Sequence, residues 1–410
     1  MADGILARME ATHPSPTKPR AIIIGGGVAG PATALFLARA GIEPIILEAH
    51  SLNEWVGGGF QVAPNGMRVL GELGIADDLE RCGQPSRDFR FKNHRGKVIG
   101  FAPTGGMRPG VNVSRPHLHR LMRAAIQRQG IAIHYEKRLR DVAIDHGSVV
   151  ALLDDGTCET GDFLVGADGV HSRVRAWMHP GHAKPRDTRM ISIGAFCEPG
   201  FTPDVQLDEH ASLTFVVGPK HQFGYSKMSA TQWGWWCHVP FAGDDQRAVM
   251  LSMPAAELGQ RMLERYQGWC APTGELIAHS RVWVRTPIHD VPHVPTWHRD
   301  HVVLIGDAAH AMSPAGGQGA SLALEDAMLL GRLVADRARP LEESFASLER
   351  LRRSRAEAMV ARGYENDQRT LKELGAFGMW MRDTLLMPLF APLIGRALTK
   401  VYAGEPALAA

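Results

Sequence analysis

Residues 20–50 read RAIIIGGGVAGPATALFLARAGIEPIILEAH, and the order of residue types spells one βαβ unit. Ala21–Ile24 is a short apolar run suited to a buried parallel strand. Gly25, Gly27 and Gly30 then form G-x-G-x-x-G. The first permits a tight turn, the second lets a pyrophosphate reach the backbone, and the third lets helix and strand pack closely. A helix is expected from Pro31, which suits a first turn, to Gly41, a natural C-cap. The second strand ends at Glu48, whose carboxylate can accept from ribose hydroxyls and would repel a 2′-phosphate. The ligand implied is FAD or NAD rather than NADP.

At 410 residues and a net charge of +2, the chain can bury a large core, points to two domains and offers no electrostatic case for nucleic acid. The five cysteines are scattered and no pair has CxxC spacing, so buried free thiols in a reducing cytoplasm are expected, with no metal site. The first residues, MADGILARMEATHPSPTKPR, lack the apolar core of a signal peptide and read as a mobile leader. Leu385–Gly395, LLMPLFAPLIG, is too short to span a bilayer and is expected to belong to a packed C-terminal helix pair.

Two later segments narrow the ligand. Gly161–Arg175, GDFLVGADGVHSRVR, joins a strand run to a turn, after which Ser172 can cap a short helix carrying Arg173 and Arg175. Gly306–Ala320, GDAAHAMSPAGGQGA, places a carboxylate, Asp307, and several glycines between the apolar run HVVLI and a helical pattern. A carboxylate at the end of a parallel strand faces the ligand crevice.

With these three motifs in this order, the sequence resembles the single-component FAD-dependent aromatic hydroxylases, the family of para-hydroxybenzoate and salicylate hydroxylases. Segments Gly57–Gly74 and Val113–Met122 match as well. The resemblance implies an α/β fold: a discontinuous Rossmann-like FAD-binding domain, an inserted α+β substrate domain built on an antiparallel sheet, and C-terminal helices. The corresponding boundaries are a leader at 1–19, an FAD-binding domain at 20–187 and 292–355, a substrate domain at 188–291, and a helical segment at 356–410, with residues near 85–110 able to join the substrate domain.

Residue by residue, the resemblance implies that Gly25, Gly27, Gly30 and Glu48 hold the adenosine and pyrophosphate of FAD. It places Gln61 and Arg115 beside the cofactor and ties Asp168 and Arg175 to FAD and NAD(P)H. Asp307 would receive a ribityl hydroxyl. Pro314 would face the substrate, and Gly317 and Gly319 would lie against the flavin ring. His310, between two alanines, reads as a structural histidine.

In the middle of the chain, SLTFVVGPKHQFGYSKMSATQWGWWCHVP reads as antiparallel strands with turns near Gly218 and Ala230. Alternation puts Trp236 and His238 on one face, and Trp233, Trp235 and Cys237 on the other. Ser226, Met228 and Trp236 fall roughly where para-hydroxybenzoate hydroxylase lines its pocket. That enzyme's carboxylate-binding arginine and phenolic tyrosines are missing, which suggests a larger, more apolar ligand. WGWWCHVP is similar to the WxWxIP motif of flavin halogenases, but Cys237 stands where the second tryptophan belongs.

The implied function is an FAD-dependent monooxygenase of the cytoplasm. It would consume NADH or NADPH and hydroxylate an aromatic or polyketide-like small molecule with O2, by way of a flavin C4a-hydroperoxide. The expected assembly is a monomer or homodimer with no membrane span. The catalytic group is left open among His221, Tyr225 and His238. The alternatives are another flavin reaction on the same fold (Baeyer–Villiger oxidation, epoxidation, halogenation or reduction) and a non-catalytic flavin- or ligand-binding protein.

Overall fold

The computed structural model describes residues 18–52, 57–104, 108–182 and 184–403. Residues 1–17 of the expected leader, and 404–410 of the C-terminal segment, lie outside the described residues.

The opening stretch folds as its residues dictate: strand Arg20–Ile24, helix Ala29–Arg39, strand Glu43–Leu47. These enter a six-stranded sheet in the order His298–Arg299, Val302–Leu304, Phe163–Gly166, Arg20–Ile24, Glu43–Leu47, Ala132–His134. All neighbours are parallel except the short hairpin at His298–Leu304. Both faces are covered, so the strands read as continuous apolar runs. Ala21, Ile23, Phe163, Val165 and Val303 join a core beneath helices Ala29–Arg39 and Gly319–Ala335. Ile22, Ile24, Leu164, Val302 and Leu304 pack on the opposite face, with Val149, Ala151 and Trp297. The alternation follows from the two-residue period of a strand.

The second large sheet has seven strands in the order Ser280–Asp290, Arg186–Cys197, Gln232–Pro240, Gln222–Ser229, Ser212–Val217, Asp88–Asn93, Val98–Pro103. It is antiparallel except where Asp88–Asn93 runs parallel to Ser212–Val217. The two outer strands at 88–103 come from an earlier part of the chain, so the sheet is not made from one continuous insertion. One face is the core of Trp233, Trp235, Cys237, Phe223 and Tyr225 under helices Ala255–Arg265 and Thr273–Ala278.

A 30-residue helix, Leu341–Thr370, runs unbroken through the boundary expected at 355/356. Gly363 lets it pass close to Ser313 and Gly316, so one rod supports both ends of the crevice. The C-terminal segment departs from expectation. Ala376–Met381, one π turn at Arg382–Leu386, and Met387–Ala403 follow one another without a gap, and they are not a packed helix pair. Of Met387–Ala403, only Ala391, Gly395 and Tyr402 are buried. The small residues allow a close approach to strand Val98–Pro103 at Gly100, while Leu389, Phe390 and Leu393 stand exposed.

Glycine is sterically required at Gly30, where an added Cβ would collide with the Gly25 carbonyl, whereas at Gly27 it would meet nothing within 4 Å. Gly30→Ala is expected to destabilise the apo-protein by about 1–3 kcal/mol or more, the cost of an overpacked core. Gly27→Ala should leave it unchanged. Urea unfolding of the two apo-variants checks the contrast.

Candidate active site

The three motifs meet at the carboxyl ends of the parallel strands. The Gly25 turn packs on Ala167 and Asp168, and Gly306 is wedged against Ala29 and Ala323. Gly306 has φ +56, so a side chain there would be strained as well as crowded. Arg175 is buried and donates to Ala308 O (2.7 Å) and Val170 O (2.6 Å), tying the middle motif to the late one. It forms no ion pair with Asp168. The Asp168 carboxylate instead caps the short helix Arg173–Met178, accepting from Ser172 Oγ (2.5 Å), Arg173 N (2.7 Å) and Val174 N (3.2 Å). Burial raises the Asp168 carboxyl above its ordinary range, against the pull of these hydrogen bonds.

Glu48 is buried and fastens the glycine turn. Its Oε2 accepts from Gly26 N (2.6 Å), and its Oε1 from His50 N (2.8 Å). A carboxylate has about four lone-pair sites, so it keeps acceptor capacity for a ribose. Arg115 stands exposed at the start of helix Arg115–Arg128, its guanidinium over the Phe60 ring. Gln61 donates to Asn112 Oδ1 (3.2 Å), and Asn112 donates to Ser226 Oγ (2.6 Å). Asp307, Pro314 and Gly317 are exposed at the rim. Asp307 Oδ1 lies 3.9 Å from where a Gly319 Cβ would sit, so the carboxylate and the first turn of helix Gly319–Ala335 converge.

His310 proves to be part of a buried ionic cluster. Its Nε2 is 2.6 Å from Asp326 Oδ2, which also accepts from Gly306 N (3.0 Å). Arg352 Nε donates to Asp326 Oδ1 (2.7 Å), and Arg352 Nη2 lies 2.9 Å from Glu325 Oε2. Arg352, Glu325 and Asp326 are all 0% exposed. Burial alone would raise the Asp326 carboxyl, but the charges of His310 and Arg352 hold it well below the ordinary carboxylate range.

Facing this rim is the second sheet. Register places Ser226 opposite Gly234, and Gly224 opposite Trp236, so Ser226, Met228, Trp236 and His238 share one face. Of the four expected substrate contacts, Pro314 is exposed at the rim and Trp236 is half-buried, while Ser226 and Met228 are buried. Ser226 is 0% exposed beneath Asn112, and Met228 is wedged against Gly59 and Gly234, because the paired strands Gly110–Ser114 and Gly59–Val62 lie over that end of the sheet. Three further aromatics stand beside Trp236: Phe215 meets its ring edge-on (5.9 Å), and Phe89 (6.4 Å) and Phe91 (5.8 Å) stack on Phe215. All four are half-buried. Sequence reasoning missed Phe89, Phe91 and Phe215, although the alternation in DFRFKN was a readable signal.

Two of the three proton-accepting candidates point elsewhere. Tyr225 is on the opposite face and donates to Glu209 Oε2 (2.5 Å); burial, then the Glu209 hydrogen bond, pushes its hydroxyl far up. His221 is bound to Arg265 at a strand turn, and burial with that cation pulls it down to about 4. His238 shares the Trp236 face, with Nδ1 2.9 Å from Asp367 Oδ1 on the long helix.

The residues fit a dinucleotide. The open position at Gly27 admits a phosphate, and next to Gly26 lies a cavity of about 210 Å³ lined by Pro31, Leu52, Pro116, Ile133 and Tyr135. The same cavity is edged by Arg120, Arg123 and His119. A family model described as FAD binding domain matches residues 18–363. The chain belongs to this family. Among its relatives is the 6-hydroxynicotinate 3-monooxygenase of Bordetella bronchiseptica, 30% identical over 77% of this chain and 82% of that protein. Another is the aurachin C monooxygenase/isomerase of Stigmatella aurantiaca, 30% identical over 89% of this chain and 93% of its own length. The crystal structure of Klebsiella pneumoniae HpxO complexed with FAD and uric acid has a TM-score of 0.80 and 25% identity, covering 95% of this chain and 97% of that one. This member of the FAD binding domain family is an FAD-dependent monooxygenase, an oxidoreductase with NADH or NADPH as co-substrate.

Asp326→Asn leaves the Arg352 charge buried with one partner fewer and should cost about 3–5 kcal/mol. Because the folded Asp326 carboxyl is depressed, its contribution is fully present above the ordinary aspartate value and is lost as pH falls below it. Urea unfolding at neutral and acid pH should show the gap between wild type and variant shrinking in acid. Gly27→Ala should weaken FAD binding at least tenfold by crowding the phosphate, read by fluorescence titration of the apo-protein.

Proposed function

We propose that the enzyme hydroxylates an aromatic or polycyclic small molecule, larger and less polar than a benzoate. The single observation that carries this reading is the row of Phe89, Phe91, Phe215 and Trp236 on the face opposite the Asp307–Gly319 rim. A flat apolar ring system can stack there, with each aromatic pair worth about 0.5–1.5 kcal/mol beyond area burial. Ser226 and Asn112 satisfy each other below the wall, and no arginine stands on it to grip a carboxylate. Relatives named for 6-hydroxynicotinate and for aurachin C are consistent with a ring substrate.

In this reading the division of labour follows the sheets: 20–187 and 292–355 carry the cofactor, and 188–291 with strands 88–103 carry the substrate. Gly25, Gly27, Gly30 and Glu48 hold the adenosine diphosphate, Asp307 takes a ribityl hydroxyl, and Arg115 and Gln61 stand at the ring. Pro314, Gly317 and Gly319 form the ring's seat, with the first N–H groups of helix Gly319–Ala335 at its oxygen edge, where a helix N-terminus favours negative charge. Asp168 and Arg175 act by positioning the turns. Bound there, FAD would supply the redox chemistry, hydride acceptance from the nicotinamide and activation of O2, with one oxygen atom going to the substrate and the other to water. The aromatic wall orients the target carbon and excludes water from it. His238, held at Nδ1 by Asp367, takes the proton of a phenolic substrate at Nε2.

Purified protein offered phenols, quinolones and polycyclic polyketides should oxidise NAD(P)H faster with a ring substrate and add one oxygen to it. A protein that retains no FAD, or holds FAD but is inert to both nicotinamides, overturns the reading. Phe91→Ala and Trp236→Ala should raise KM about tenfold and divert nicotinamide oxidation to peroxide, measured by product-to-NAD(P)H ratio. His238→Gln should lower kcat on a phenol about 100-fold, with activity returning as pH rises past the phenol's own ionisation.

A further inference from the structure

The helical stretch Ala376–Ala403 is apolar enough and long enough to cross a bilayer, yet only 11% of its most apolar window is buried. Phe377 (72%), Trp380 (54%), Leu389 (66%), Phe390 (51%) and Leu393 (48%) stand exposed on it. The adjoining strand adds Val98 and Phe101. Soluble surfaces rarely leave a contiguous apolar patch of this size without a use for it. We propose that this stripe docks on an anionic lipid surface and lies in the plane of the headgroups. The proposal goes beyond the hydroxylase reading and does not depend on it.

One observation favours lipid over a second protein: the charge is one-sided. Asp383 is the only carboxylate between Ala376 and Ala403. It is spent on Asn93 (2.9 Å) and Arg382 (2.7 Å). The exposed charges are Arg396 and Lys400, at the opposite end from Phe377 and Trp380. An apolar, aromatic stripe whose only exposed charges are cations at one end suits docking on anionic lipid.

The helix lies on the membrane rather than across it because it is fixed to the body of the enzyme. Ala391 Cβ is 2.8 Å from where a Gly100 Cβ would sit, leaving no room for a side chain at that crossing. Arg68 donates to Ala403 O (2.9 Å), and Arg355 to Val401 O (2.8 Å). A span would have to break all of these contacts.

The test uses the full-length, FAD-loaded protein sedimented with vesicles of phosphatidylcholine alone or mixed with about 30% phosphatidylglycerol. The protein should pellet with the anionic vesicles, less so in high salt, and little with the neutral ones. The double variant Leu389→Ser/Phe390→Ser should bind at least tenfold more weakly while keeping its flavin absorbance. Arg396→Glu/Lys400→Glu, which changes only exposed side chains, should lose the preference for anionic lipid. Three results overturn the proposal: no pelleting with either vesicle, pelleting unchanged in both variants, or a dimer by light scattering that Leu389→Ser/Phe390→Ser dissociates. The last would make a second copy of the chain the occupant. None of these readouts requires turnover, so a failure of the hydroxylase reading and a failure of this one are told apart.

Discussion

One buried guanidinium organises the flavin side of the crevice. Arg352 comes from the long helix and is enclosed between Glu325 and Asp326 of the helix that starts at the crevice rim. Asp326 in turn holds His310 and the Gly306 N–H, the two ends of the turn that presents Asp307. An ion set with no solvent must be matched almost atom for atom, since a lone buried charge costs several kcal/mol. The geometry of the turn is therefore fixed by charge complementarity deep in the fold rather than by the loop's own preferences. The same long helix reaches the substrate face, where Asp367 holds His238 and Asn366 donates to Ala315 O. Cofactor rim and substrate wall are thus registered by a single rod.

The Rossmann half was legible because its signals are local. Strand, glycines, helix and acidic strand end lie within about thirty residues at Arg20–His50, and each limits the backbone directly. Ser172 as a cap and the hairpins around Gly218 and Ala230 were readable for the same reason. The sequence left the role of His310 open, and nothing local could name Asp326 as its partner or Arg352 as the next charge in the cluster.

What escaped the sequence is what depends on distant pairing. The spacing of Ser226, Met228 and Trp236 places them on one face, yet cannot say that Asn112 of strand Gly110–Ser114 would cover the first and Gly59 the second. Phe89 and Phe91 lie more than a hundred residues before the strand they flank, and only the parallel pairing with Ser212–Val217 brings them to Phe215. The resemblance ties Asp168 and Arg175 to FAD and NAD(P)H; in space each is held by backbone groups, Asp168 by the N–H groups of Arg173 and Val174 and Arg175 by the carbonyls of Val170 and Ala308. The C-terminal helix was misjudged because apolar content normally signals burial, and here its large apolar side chains stand exposed among the described residues.

The strand order also sets a schedule. Arg20–Ile24 finds its first neighbour, Glu43–Leu47, within a few dozen residues, but Phe163–Gly166 must wait for Val302–Leu304 before its outer edge is paired. During synthesis, about 140 residues separate those two strands, and the whole second sheet except its first two strands is made in that interval. A nascent chain therefore carries a bare parallel edge of Phe163, Leu164 and Val165 until nearly three quarters of it has been made. Such edges invite mispairing. The demand for shielding at the ribosome falls on this interval, and a chain truncated before Val302 would keep the exposed edge permanently.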